Sequence, residues 1–292
     1  MLRFLGSVAD AWIDRNAAAS PDALEAVRGL RPAVVVTGAS RGIGRSLALR
    51  FARAGAELAL VARGAEPLAR VAAEISREHG VKVTPLALDV TAPDAPAALD
   101  AALRGAGLYA DVLVNNAGIG LAGPFADHAP DAIDGLLVLN VTAVTRLMRH
   151  ALPAMIARGR GGILNVASLG GMAPGPYQAA YYASKAYVLS LTEAVAHEAR
   201  GQGVRIAVVA PGPVNTGFHA AMGADSALYR TLVPALSPEA VAASAYRGFL
   251  IGRTKIVPGI VAMASALALK LLPSFASVPL LGMLLYRPAR PR

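Results

Sequence analysis

Cysteine is absent from the 292 residues. That removes disulfides, thiolate zinc sites, iron–sulfur clusters and a cysteine nucleophile. Charge is scarce: 16% of residues are Asp, Glu, Lys or Arg, against 55% hydrophobic, and the mean hydropathy is +0.48. A disordered chain needs the opposite balance and is excluded. Acid is missing from one end altogether, since no Asp or Glu follows Glu239. Arg247, Arg253, Lys255, Lys270, Arg287, Arg290 and Arg292 therefore hold most of the +9 net charge and account for the pI of 10.2. Nucleic-acid binding calls for basic residues along a groove with stacking aromatics. This segment is instead rich in Leu, Ala and Pro, so no nucleic-acid partner is expected. An anionic lipid surface fits it better, with a solvated basic end as the plain alternative. No secretory signal is expected either, because Asp10, Trp12 and Asp14 interrupt the start where an apolar stretch should continue. Cytoplasmic residence is the expectation.

Two further absences narrow the chemistry. None of the five histidines forms a His-Glu-x-x-His pair, since His197-Glu198 runs on into Ala-Arg-Gly, and no metal is expected. No Gly-x-Ser-x-Gly elbow presents a serine nucleophile.

What is present is alternation. Short apolar runs fall at 33–37, 58–62, 81–88, 112–114, 163–166, 204–209 and 256–257, with helical stretches between them, including 46–54, 67–78, 132–157 and 182–200. Short buried strands alternating with helices imply crossover connections and a parallel sheet covered on both faces. The fold expected is α/β, a doubly wound parallel sheet of the Rossmann type. It forms one domain over 31–257, with a helical lead at 1–30, where Ser20-Pro21-Asp22 starts a helix, and an apolar, basic extension at 258–292.

The first strand, ending at Thr37, runs into Gly38-Ala-Ser40-Arg41-Gly42-Ile43-Gly44. A strand that turns sharply into a helix can bring backbone N–H groups and the positive dipole end to a pyrophosphate. The second strand ends in Ala62-Arg63, where a fold that prefers NAD usually places an acid for the ribose 2′-hydroxyl. Two guanidinium groups, Arg41 and Arg63, suit a 2′-phosphate instead. The cofactor expected is NADP(H).

Farther on come Asp89-Val90, Asn115-Asn-Ala117-Gly118, Asn140, Ser168, Tyr181-x3-Lys185 and Pro211-Gly212. Tyr181 and Lys185, at i and i+4, share a helix face. An ammonium there favours the phenolate and lowers the tyrosine toward a working range, and such a tyrosine can give a proton to a carbonyl or take one from an alcohol. Ser168 offers a hydroxyl to the same oxygen. In order and spacing the set resembles the short-chain dehydrogenase/reductase family over roughly residues 33–257. The resemblance implies that Asn140, Ser168, Tyr181 and Lys185 are catalytic, Asn140 through a water and Lys185 also on the nicotinamide ribose. It implies that Asp89 and Val90 contact adenine, that Asn115, Ala117 and Gly118 line the cofactor, and that Pro211, Gly212, Val214 and Thr216 cover the nicotinamide.

The reaction expected is NADPH-dependent interconversion of a carbonyl and a secondary alcohol on a small lipophilic molecule. Selectivity is expected from 173–177, from the region after Ile119, and from 218–232 with His219, where the family places its lid. A non-catalytic NADP-binding or membrane-associated scaffold, or an isomerase or epimerase, are the competing readings. A homo-oligomer is expected through Leu136, Leu147, Val188, Leu191 and Val195 on the two long helices. Beyond 258, a helix from about Gly259 to Leu272 is predicted, then an irregular apolar segment broken by Pro273 and Pro279. This extension either covers the pocket, packs on a partner subunit or lies peripherally on a membrane.

Overall fold

The structure is a computed structural model that describes residues 19–224, 227–229 and 233–286. The described residues form a seven-stranded, all-parallel sheet in the order β3-β2-β1-β4-β5-β6-β7. In chain order the elements are α1 (Pro21–Glu25), β1 (Arg31–Thr37), α2 (Gly42–Ala52), β2 (Leu58–Ala62), α3 (Ala65–His79), β3 (Val83–Ala87), α4 (Ala95–Gly105) and β4 (Leu108–Asn115). There follow α5 (Pro130–Leu137), α6 (Val144–Ala157), β5 (Gly161–Val166), α7 (Ala179–Glu198), β6 (Val204–Val209), α8 (Phe218–Met222), α9 (Pro238–Leu250) and β7 (Lys255–Ile256). Two further helices, α10 (Ile260–Leu271) and α11 (Ser274–Leu285), close the described chain. This is the doubly wound parallel architecture expected from the alternation of short strands and helices.

Side-chain parity along the strands makes two cores. Val34, Val36, Leu58 and Leu60 face α2, α3 and α9, where Leu47, Phe51, Leu68, Ile75 and Phe249 complete one cluster. Val35, Val61, Leu113 and Ile163 face the other way, onto Leu99, Leu147, Met155 and Val188 of α4, α6 and α7. Both faces of the central strands are thus apolar, as a sheet buried on both sides requires. The chain reverses its strand order between β1 and β4, and in such sheets a crevice opens there at the carboxyl ends of the strands.

Two details differ from the sequence reading. The predicted helix over 132–157 is α5, a π-helical stretch at Val138–Ala143 that carries Asn140, and α6. The segment expected to be irregular after 272 is helix α11, with Pro279 inside it. Proline removes one backbone donor, yet Ser277, Leu281 and Leu285 on its inner side are buried, and that packing holds the helix. The five residues through which an oligomer is expected sit at different depths in this chain. Leu136, Leu147 and Val188 are buried within one chain, and Leu191 and Val195 pack on its core. The exposed large apolar residues of α5 and α7 are Leu137 and Tyr187. Of the lead, residues 1–18 lie outside the described residues; Ser20 N donates to Ala157 O at 2.8 Å, which pins the entry to α1.

Candidate active site

A cleft of about 930 Å³ runs along the carboxyl ends of the strands. Its walls run from the β1–α2 turn past Ser168, Tyr181 and Lys185 to the inner side of α10 and α11.

The β1–α2 turn is shaped from within. Thr37 Oγ1 donates to Val114 O at 3.2 Å and accepts from the N–H groups of Asn116 and Ala117 at 3.0 and 3.1 Å. Asn116 Nδ2 donates back to Thr37 O and Gly38 O at 2.9 and 3.1 Å. The two neighbouring loops are therefore clamped together. Glycine is required where they touch: a Cβ on Gly44 would lie 2.4 Å from Asn116 Nδ2 and from Gly38 O, and one on Gly38, at φ +64°, would lie 2.9 Å from Ala117 Cα. The outer side of the turn, with Ser40, Arg41, Gly42 and Ile43, faces the cleft. Arg63, Asp89 and Val90 line the same end. The Asp89 carboxyl is held below its usual value by the Thr91 N–H and hydroxyl, at 2.9 and 2.7 Å, and to a smaller extent by Arg63.

Most of the site residues expected from the sequence converge here, and four do not reach the cleft wall. Thr37 and Gly44 are absorbed by the clamp. Asn140, fully buried, bonds the Ile119 backbone through both amide atoms, at 3.0 and 2.8 Å, and donates to Ser184 Oγ at 3.1 Å. It stands behind Gly118, where an added Cβ would lie 3.2 Å from Asn140 Oδ1 and 3.4 Å from Lys185 Nζ. Asn115 corrects the sequence reading. As the last residue of β4 it points into the core face, and its Nδ2 donates to Asn165 Oδ1 at 2.9 Å. Asn165 in turn donates to Thr192 Oγ1 at 2.8 Å. Asn115 thus ties β4 and β5 to α7, and Asn116 takes the place at the cleft. Ala117, Gly118, Pro211, Gly212, Val214 and Thr216 all line the cleft, with Thr216 leaning over Gly42.

At the centre, Ser168 accepts from Gly170 N at 3.1 Å, which fixes its hydroxyl at the end of β5, within reach of Tyr181. Lys185 Nζ donates to Val166 O at 2.9 Å and sits 5.9 Å from the Tyr181 ring centre. Burial acts on both groups, alongside the ammonium expected to lower the tyrosine. Burial pushes the Tyr181 phenol up to about 12, the Ser168 hydrogen bond opposing it, and burial pushes Lys185 down to about 8. Tyr182 is also raised by burial, its ring packed so closely that a Cβ on Gly175 would lie 2.4 Å from it.

The substrate end is aromatic and apolar. Phe218 lies 5.5 Å from the Tyr181 ring, and His219 Nδ1 and the Tyr229 hydroxyl are hydrogen-bonded at 2.8 Å. Asp225, Arg230 and Leu232, expected in this segment, lie outside the described residues. Gln178 and Tyr229 were not singled out by sequence. Gln178 is 3% exposed and lines the cleft with an Nε2 that has no hydrogen-bond partner among the described residues; a polar residue one turn before Tyr181 was the available signal. Within this chain the extension roofs the pocket. Leu269, Leu281 and Leu285 line the cleft, and Tyr286 packs 5.5 Å from Tyr177.

A nicotinamide dinucleotide fits this cleft on the residues present. The first turn of α2 offers unpaired N–H groups beside glycine backbone, two arginines stand at the end where the adenosine would lie, and Ser168 and Tyr181 stand at the other.

A parallel sheet with this cleft and a Tyr-x3-Lys pair beside a serine defines a class of dehydrogenases. Residues 32–227 match the model of the short chain dehydrogenases, and the chain belongs to that family of oxidoreductases. It is similar to the very-long-chain 3-oxoacyl-CoA reductase of Bos taurus, 37% identical over 182 residues, 61% of this chain and 57% of the reductase. The chain spans less than two thirds of the length of such curated relatives. A short-chain dehydrogenase from Sphingobium yanoikuyae, solved in complex with NADPH, is 35% identical, with a TM-score of 0.73 over 82% of this chain and 92% of that one. A bulky-bulky ketone specific alcohol dehydrogenase from Comamonas testosteroni is 28% identical, with a TM-score of 0.68 over 83% and 95%. Among the described residues, no helix is long and apolar enough to cross a membrane.

Proposed function

We propose that this protein is an NADP(H)-dependent oxidoreductase that interconverts a ketone and a secondary alcohol on a bulky, lipophilic substrate. The observation that carries the reading is the meeting of Ser168, Tyr181 and Lys185 midway between an arginine-flanked glycine turn and an apolar roof, within one cleft. Bound NADPH would supply a hydride to the carbonyl carbon. Tyr181 gives its proton to the carbonyl oxygen, and Ser168 holds that oxygen while charge develops on it. Lys185, held by Val166 O, faces the ribose side and keeps positive charge near the phenol as its proton leaves. Arg41 and Arg63 grip the 2′-phosphate, which favours NADPH over NADH. Asn116 and Thr37 act as positioning residues, because their clamp fixes the backbone that cradles the pyrophosphate.

The substrate class rests on Phe218, Met222, Leu281 and Leu285, which line the same cleft as Tyr181, an environment that suits hydrocarbon and penalises unpaired polar groups. The names of the bovine and Comamonas relatives, a long-chain 3-oxoacyl reductase and a bulky-ketone dehydrogenase, agree with such a pocket. The Gln178 amide, whose Nε2 has no hydrogen-bond partner among the described residues, would donate to a second polar group near the carbonyl, such as that of a 3-oxo ester. The test is NADPH consumption with a panel running from small water-soluble ketones to long-chain 3-oxo esters and bulky aryl ketones. Turnover rising with apolar size is expected. Preference for small polar ketones overturns the substrate class, and equal efficiency with NADH overturns the cofactor assignment.

A further inference from the structure

The helices that roof the cleft have a second face. On α10 and α11 the inner positions Leu269, Leu281 and Leu285 look into the cleft. The outer positions are equally apolar and are bare: Ile260 is 81% exposed, Leu267 60%, Leu271 73%, Phe275 82% and Met283 69%. A helix face turned to water is normally polar, and contiguous exposed apolar surface marks an interaction site. Lys270 is the lone charge on these two helices, and none of their residues is acidic.

We propose that this outer face rests on an anionic lipid bilayer, so that lipophilic substrate passes from the lipid under the roof and into the cleft; the delivery step rests on the substrate class proposed above. Length argues for a helix pair lying flat. Each helix has 12 residues, roughly 18 Å, against a hydrocarbon core of about 30 Å. Charge argues for the kind of lipid. Arg287, Arg290 and Arg292 follow α11 directly in the sequence, and no acid follows Glu239, which is the pattern that draws a segment to anionic headgroups. Charge also argues against a second copy as the occupant. A symmetric pairing of this face would bring two acid-free, basic segments together with nothing to neutralise them. Continuity with the cleft gives the contact a purpose, since the same two helices form its roof.

The test is flotation of the full chain with vesicles of phosphatidylglycerol mixed with phosphatidylcholine and with vesicles of phosphatidylcholine alone, each at low and high salt. Binding to the anionic vesicles at low salt is expected to exceed that to neutral vesicles by about tenfold or more and to fall in high salt. The triple variant Ile260→Ser, Leu271→Ser, Phe275→Ser alters exposed positions alone, so it should keep its thermal midpoint and stop floating. Replacing Arg287, Arg290 and Arg292 with Gln should remove the preference for anionic lipid. A triple variant that floats as well as the wild type overturns the proposal. So does a wild type that floats with neither vesicle, or one that doubles in mass through this face without floating. Flotation needs neither cofactor nor turnover, so its failure is separate from failure of the proposed reaction. For delivery, the triple variant should reduce a vesicle-dissolved ketone more slowly than the wild type and a water-soluble ketone at the same rate. Equal rates on the dissolved ketone overturn the delivery step.

Discussion

The two ends of the cleft are built on opposite principles. At the glycine turn, specificity is in polar detail: Thr37 and Asn116 exchange hydrogen bonds across two loops, Gly38 and Gly44 have no room for a methyl group, and two arginines wait outside. At the roof, α10 and α11 bring shape and hydrocarbon, and the hydroxyl of Ser265 turns back onto its own helix, donating to Val261 O at 2.9 Å. The first end suits a ligand that is always the same, and the second suits a class of molecules. Tyr181 stands where they meet.

The largest effect should come from breaking that meeting point. Tyr181→Phe is expected to lower turnover by about 10²–10⁴-fold, the usual worth of a positioned acid, with NADPH binding close to intact by fluorescence titration. Tyr182→Phe should be mild, because the Tyr182 ring packs and does not carry the proton.

Next are the two buried anchors. Leu285, 3% exposed under the roof, should cost about 2–5 kcal/mol as Leu285→Ala, read by urea denaturation, and should loosen selectivity among bulky ketones while leaving the NADPH affinity unchanged. Lys185 tests the other end through pH. Its value in the fold, about 8, lies below the 10.5 of a free lysine, so the unfolded chain holds a proton that the folded chain sheds between those values. Stability from this group is therefore present above about 10.5 and lost as pH falls through about 8. Lys185→Met should be inactive. Relative to it, the wild type without cofactor should gain on the order of 2–3 kcal/mol between pH 8 and 10. Above pH 10 the raised Tyr181 works the other way, since the folded chain keeps a proton that the unfolded chain loses, and the wild type should decline. A flat difference between wild type and variant across pH 8–10 would show that Lys185 is not desolvated.

Arg63→Ala should raise the Michaelis constant for NADPH by about 10- to 100-fold and that for NADH little. The smallest effect belongs to the outer side of the roof. Phe275→Ser should change folding stability by no more than about 0.5 kcal/mol, in contrast to Leu285→Ala on the same helix, because the Phe275 ring faces outward, toward the proposed lipid surface and away from the protein core.

The same contrast separates what was legible in the sequence from what was not. The polar end was written in spacing. Strand parity in Ala33–Thr37, the glycine turn and the four-residue step from Tyr181 to Lys185 follow from backbone periodicities that local sequence determines. Adjacent residues of one type defeat that reading. Asn115 and Asn116 look alike in sequence, and only their opposite sides of a strand end separate a core tie from a cleft residue. The π-helical stretch around Asn140 left no pattern to find. How deeply Tyr181 and Lys185 are buried could not be told from their four-residue step. At the roof, composition announced apolar surface without saying which side would be covered, and Pro279 suggested a break that packing overrides. On α6 and α7, the depth of Leu147 and Val188 was not legible either, because the sequence does not show how much of those helices the sheet itself consumes.

The central claim is that one cleft holds NADPH at its polar end and a lipophilic ketone at its apolar end, with the Tyr181 proton between them. The most direct measurement is the initial rate of NADPH absorbance loss with a bulky lipophilic ketone, taken side by side for the wild type and Tyr181→Phe at saturating cofactor. Ready consumption by the wild type, reduced by about two or more orders of magnitude in the variant while both bind NADPH equally, is the result expected. Equal rates in the two proteins, or tight NADPH binding by the wild type with no consumption across the whole ketone panel, would contradict it.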